Sequence, residues 1–114
     1  MTKENTARVG RPVELDVRVK NTGESKWLHR NIREIGVVRV GVHLLDRDKQ
    51  MLKHDFARGE LKADLLPGEA VTVKFSVVFI EPGEYILSID MVAEYLYWFE
   101  MLGSHTQYLH FSVE

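Results

Sequence analysis

Two runs of alternating apolar residues, each introduced by a Pro-Gly pair, dominate the stretch from Leu65 to Glu94. In the first, Val71, Val73, Phe75, Val77 and Phe79 recur at every second position. In the second, Tyr85, Leu87, Ile89 and Met91 do the same. A period of two puts each set on one face of a pleated strand. Two strands with one apolar face each must be covered by a second layer. The chain is therefore expected to fold as an all-β sandwich.

The rest of the sequence supplies the other strands. Pro12 opens VELDVRVK, in which Val13, Leu15, Val17 and Val19 face inward and Glu14, Asp16, Arg18 and Lys20 face water. Asn21-Thr22-Gly23 ends it as a turn, on the expectation that Asn and Gly supply a left-handed backbone. Residues 24–36 read as a loop that pins Trp27 into the core. VVRVGVHLLD and MLKHDFAR, separated by a polar turn, predict a hairpin over residues 37–58. Pro82-Gly83 suits a type II turn, whose twist is wrong for a tight hairpin, so the chain is expected to cross there between sheets. Tyr85, just beyond, sits where immunoglobulin-like folds place a tyrosine that bonds back to the connection. TQYLHFSV is the last strand, with Leu109, Phe111 and Val113 inward. The count gives an immunoglobulin-like antiparallel β-sandwich of about seven strands, a single domain over residues 1–114 with residues 1–8 disordered.

With 114 residues and no cysteine, the chain can bury a core without a disulfide or a thiolate metal site. Fifteen basic and seventeen acidic residues interleave along it, which argues against a nucleic-acid partner. No apolar run approaches the roughly 20 residues of a membrane helix, so no membrane insertion is expected. The start MTKENTARVG lacks a signal-peptide apolar core. Cytoplasmic localisation is the corresponding expectation, for a domain belonging to a larger protein.

Several motifs in order carry a resemblance. They are Asn21-Thr22-Gly23 with Trp27, Leu65-Leu66-Pro67-Gly68-Glu69-x-Val71, then Pro82-Gly83-x-Tyr85-x-Leu87-x-x-Asp90-x-Val92-x-Glu94, and finally Trp98-Phe99 with Gly103. Together they resemble the immunoglobulin-like accessory domains appended to bacterial glycosyltransferases and other polysaccharide-biosynthesis proteins. More loosely, they are similar to adhesion-type β-sandwich modules. The resemblance implies a non-catalytic module whose partner is a polysaccharide or oligosaccharide, or a neighbouring protein domain.

The residues themselves offer little chemistry. Asp90 and Glu94 share a strand face but lie roughly 13 Å apart by strand rise, with no cleft between them, and Asp90 is expected to pair with a cation such as Arg39. No catalytic residue, cofactor or metal is expected, and His43, His54, His105 and His110 read as solvated surface side chains. Gly41 marks a bulge or a close approach. The aromatic loop is the best candidate. Trp98, Tyr95 and Tyr97, with Trp27, offer faces on which sugar C–H groups stack, and Glu94 and Glu100 offer hydroxyl acceptors. The alternative is that these rings seal the end of the core. Val78, Ile80, Ile86 and Val92 break the polar-outside rule and form a candidate interface for a neighbouring domain or a weak homodimer.

Overall fold

The computed structural model describes residues 4–31, 33–99 and 106–114. Eight strands build it: β1 (Glu4–Ala7), β2 (Val13–Lys20), β3 (Val38–Asp46), β4 (Met51–Glu60), β5 (Ala70–Val77), β6 (Gly83–Ala93), β7 (Tyr97–Trp98) and β8 (Gln107–Val113). One sheet has the order β1-β8-β6-β3-β4, with β7 added beside β6, and the other is the pair β2-β5. The chain is a β-sandwich, and the long apolar strand β6 lies at the centre of its larger sheet. Among the described residues the strand pairings are antiparallel except β1 on β8, and an isolated bridge between Leu28 and Val37 is also parallel. Residues 4–7, expected to be disordered, are thus held as a parallel edge strand, closed by Glu114 N–H donating to Ala7 O at 3.0 Å.

Between the sheets, the inward sets meet as their alternation requires. Leu15, Val19, Val73 and Val77 from the small sheet pack against Val40, Val42, Leu87, Ile89, Phe111 and Val113 from the large one. The chain does change sheets between β5 and β6. Phe79 anchors that crossover at 1% exposure, with its ring centroid 5.5 Å from Tyr85 and 5.3 Å from Phe111. Tyr85 donates its hydroxyl to Glu81 O at 3.1 Å, the expected corner bond.

Two turns work differently from their sequence reading. Gly83 has φ +148°, well away from the roughly +80° of a type II turn, and it opens β6 instead. The type II geometry belongs to Pro67-Gly68, where Gly68 has φ +87° and Glu69 N–H donates to Leu66 O at 3.0 Å. Asn21 and Gly23 have no positive φ. Asn21 is there for its side chain, which is fully buried. Its Nδ2 donates to Ser25 O at 2.8 Å and Leu65 O at 2.9 Å, and its Oδ1 accepts from Gly23 N–H at 3.0 Å. This one amide ties the loop after β2 to the segment before β5. No helix of the described residues is long and apolar enough to cross a membrane.

Candidate functional site

The site lies on the face of the large sheet that points away from the sandwich core. In β3, Val38, Val40 and Val42 enter the core, so alternation turns Arg39, Gly41 and His43 to the opposite face. Pairing places Gly41 opposite Asp90, His43 opposite Ser88 and Arg39 opposite Val92 on β6. An outward face of a surface sheet is ordinarily wet. Here Ile86, Ser88, Asp90 and Val92 are all 6% exposed or less.

Part of the cover comes from β7. After β6 the chain turns through Tyr95, whose φ is +64°, and returns antiparallel with Trp98 opposite Val92. Trp98 reaches across to β3. A Cβ built on Gly41 would fall 2.4 Å from Trp98 Cζ3 and 2.5 Å from Cη2, so only glycine lets the indole sit there. The close approach expected at Gly41 is therefore real, and the approaching group is this ring.

A bulge brings β4 into the same cluster. Val42 pairs with Ala57 but Leu44 pairs with Lys53, so three residues of β4 stand against His43 alone. The slack places the His54 ring 4.5 Å from that of His43 and 5.2 Å from that of Trp98. His43 itself lies 4.0 Å from the indole, tilted by 31°. Its Nδ1 stands 2.6 Å from His54 O, and since a carbonyl only accepts, that nitrogen carries the hydrogen. His43 is 5% exposed, which corrects its reading as a solvated surface residue. His54 remains exposed, and no group of three or more metal-ligating side chains converges among the described residues.

Charged groups lie over and around the ring. The Arg58 guanidinium lies 4.8 Å from the Trp98 ring centroid and donates to Asp55 at 2.8 Å and to Glu94 at 3.3 Å. Arg39 donates to the same Glu94 at 2.8 Å and to Glu34 at 3.2 Å, with Glu60 3.7 Å away. The expected cationic partner of Asp90 thus serves other carboxylates, and Asp90 Oδ1 accepts from Met91 N–H at 2.7 Å. Burial opposes the charge of Arg39, but hydrogen bonds to Glu94 and Glu34 hold its pKa above the ordinary arginine value. The bond from Arg58 holds the Asp55 carboxyl below the usual range.

Together, His54, Asp55, Arg58, Glu94, Tyr95, Tyr97 and Trp98 line an open cleft of about 460 Å³. Four of the candidate residues, Trp98, Tyr95, Tyr97 and Glu94, are brought together here. Trp27 is elsewhere. Its ring packs edge-on against Phe99 at 5.4 Å, and Phe99 stacks with Tyr97 at 5.8 Å. Trp27 and Phe99 pack against the end of the core, while Tyr97 stays exposed, and Trp27 is bridged to Leu65 on the backbone. The aromatic loop therefore divides its labour: Trp98 serves the outer face and Phe99 with Trp27 the core end. Glu100 lies outside the described residues. Asp55 and Arg58 are not singled out by the sequence reading, and His54 is read there only as a solvated surface side chain; the signal available is their place across the hairpin from Arg39-x-Gly41-x-His43.

The proposed apolar interface also divides. Ile80 is 81% and Val78 41% exposed, beside a groove shared with Leu52 and Phe56. Ile86 and Val92, at 2% and 3%, are buried on the outer face and present no surface. No family model matches the chain, and a search of curated proteins finds none similar to it.

Proposed function

We propose that this chain is a non-catalytic carbohydrate-binding module that holds a glycan in the cleft beside Trp98. One observation carries the reading: an indole laid over a glycine lines an open cleft, ringed by carboxylates, an imidazole and a guanidinium. Sugars need that combination, an apolar face for their C–H groups and polar groups for their hydroxyls. In this reading Trp98 is the platform. Glu94 and Asp55 accept sugar hydroxyl protons through their free lone pairs, and His54 adds a donor or acceptor at the rim. Gly41 and His43 hold the ring against the sheet and the Arg58 guanidinium lies over part of its face, so little ordering remains for the ligand to impose. The resemblance of the turn and strand motifs to polysaccharide-associated accessory domains supports assigning the module to a bacterial protein of that kind.

The test is a titration of the isotopically labelled domain with bacterial oligosaccharides, following amide and indole N–H signals. With two tryptophans in the chain, the two indole signals are assigned by comparison with Trp98→Phe. Binding here shifts the Trp98 indole and the amides of residues 54–58 and 92–98, and leaves the Trp27 indole in place. Saturating glycan panels that leave all of these unmoved would sink the proposal.

A further inference from the structure

We infer that the cleft selects glycans lacking acidic groups, and that Glu94 and Asp55 enforce this by occupying the guanidiniums an acidic sugar would need. The inference rests on the glycan reading above and names its ligand class. Uronates, sulfates and phosphates are recognised in proteins chiefly by arginine, whose fork matches two oxygens at once. Arg58 is the only arginine or lysine among the described residues lining the cleft. Each of its nitrogens already faces an acceptor: Nη2 has Asp55 at 2.8 Å, Nε has Glu94 at 3.3 Å and Nη1 has Ala57 O at 3.2 Å. Arg39 stands behind it, with Glu94 and Glu34 on its two terminal nitrogens.

Charge accounting leads to the same result. Two guanidiniums, Arg39 and Arg58, face four carboxylates, Glu34, Asp55, Glu60 and Glu94, an excess of two negative charges. Glu94 bridges both arginines and is itself mostly buried, its side chain 16% exposed. It holds the position an incoming carboxylate would take. An acidic sugar meets like charge and must break internal ion pairs before it makes its own. A neutral sugar meets no such cost, since its hydroxyls donate to the unused lone pairs of Glu94 and Asp55. Exclusion of acidic ligands is thus built into the same residues that brace Trp98.

The experiment compares oligomers of mannose, glucose and galactose with oligomers of mannuronate, glucuronate and galacturonate at pH 7.5 and low salt. The readout is the Trp98 indole shift in the wild type, Glu94→Gln and Asp55→Asn. In the wild type the neutral oligomers bind and the uronates bind at least about tenfold more weakly, the factor worth ~1.4 kcal/mol. Both amide variants shrink the ratio of neutral to acidic affinity. Asp55 is exposed, so Asp55→Asn remains informative should Glu94→Gln fold poorly. Uronates binding the wild type as well as neutral sugars overturn this inference and leave the glycan reading standing. An unchanged ratio in both variants overturns the roles of Glu94 and Asp55. No shift with any sugar removes the glycan reading and this inference with it.

Discussion

Substituting Gly41 by alanine tests how the outer-face site is built. The new methyl carbon would stand 2.4 Å from Trp98 Cζ3, 2.5 Å from Cη2 and 3.3 Å from Cε3. Carbon atoms in contact sit about 3.5–4.0 Å apart, so the indole must withdraw by about 1 Å or swing off the sheet. The six-membered part of a rigid ring takes the clash, so no flexible chain end can absorb it. Overpacking of this kind costs about 1–3 kcal/mol. Against this, alanine in a strand interior is favoured over glycine by roughly 0.5–1 kcal/mol. The balance runs from near neutral to a net loss of about 2.5 kcal/mol, or a fall in Tm of up to roughly 10 °C for a domain of this size. Trp98→Ala removes the obstacle, so in that background Gly41→Ala should become neutral or stabilising. Urea denaturation of the four proteins in the cycle gives a coupling of about 1–3 kcal/mol. Equal losses with and without the indole would mean that the ring does not rest on Gly41, and the cleft as described would not exist.

Other consequences reach the frame around the site. Asn21→Ala deletes three hydrogen bonds of a fully buried amide, although Leu65 O keeps its bond from Trp27 N–H, so urea unfolding should show a loss on the order of 2–3 kcal/mol. Asn21→Asp should fare no better, because it keeps the acceptor for Gly23 N–H but cannot donate to Ser25 O and Leu65 O. Tyr85→Phe removes the corner bond to Glu81 O while keeping the ring stacked on Phe79; about 0.5–1.5 kcal/mol is expected by thermal denaturation. Asp55 and Asp64 have depressed pKa values, the first through its bond to Arg58 and the second through its bonds from His29. A carboxyl with a folded pKa below its unfolded one stabilises fully above the usual value of about 4, and loses that contribution as pH falls through the folded pKa. For Asp55, whose first partner is the always-charged Arg58, the gap in Tm between wild type and Asp55→Asn should therefore be constant from pH 7 to 5 and close below pH 4. For Asp64, whose partner is an imidazole, the closing below pH 4 is the expected signature. For exposed Asp55 it stays within the ~1 kcal/mol of a surface pair. A gap that widened below pH 4 would refute the assignment.

Much of the frame was legible because it depends on local rules. The alternation in VELDVRVK and AVTVKFSV has one solution in a two-layer fold, and the two runs pair residue for residue from Val13↔Val77 to Lys20↔Ala70. The crossing between sheets was expected from a type II turn at Pro82-Gly83 that does not form, so the fold was reached there for the wrong reason, whereas the Tyr85 corner followed from its position after Pro82-Gly83. Readings that needed tertiary partners failed. Glu4–Ala7 has no strong pattern of its own, and it is a strand because β8 offers it an edge. Asn21 looks like a generic turn residue, since nothing local says that its amide will be swallowed by the segment from Leu65 to Glu69.

The outer face makes the same point in a sharper form, and there the sequence did contain a signal. β3 and β6 do not alternate cleanly: Leu44-Leu45 and Ile86-Leu87 put apolar residues on both faces, with Val92 adding another outward position. Strands of that kind are buried on both sides. Reading Ile86 and Val92 as exposed patches awaiting a partner assumed that any cover must come from outside. The chain covers part of that face itself, with β7 laid back over Val92 and its indole set on Gly41. A small residue flanked by Arg39 and His43, opposite a strand carrying outward Ile and Val, signals a depression that a large side chain can fill. Which side chain fills it cannot be read locally, because Trp98 lies 57 positions away along the chain. The ion pairs follow from that filling. With the ring in place, Arg39 and Arg58 are partly withdrawn from water, and partly withdrawn cations demand acceptors. Glu94 meets both demands only because the turn through Tyr95 holds it beside the ring. The platform and the charges that would govern its selectivity are thus consequences of one packing event.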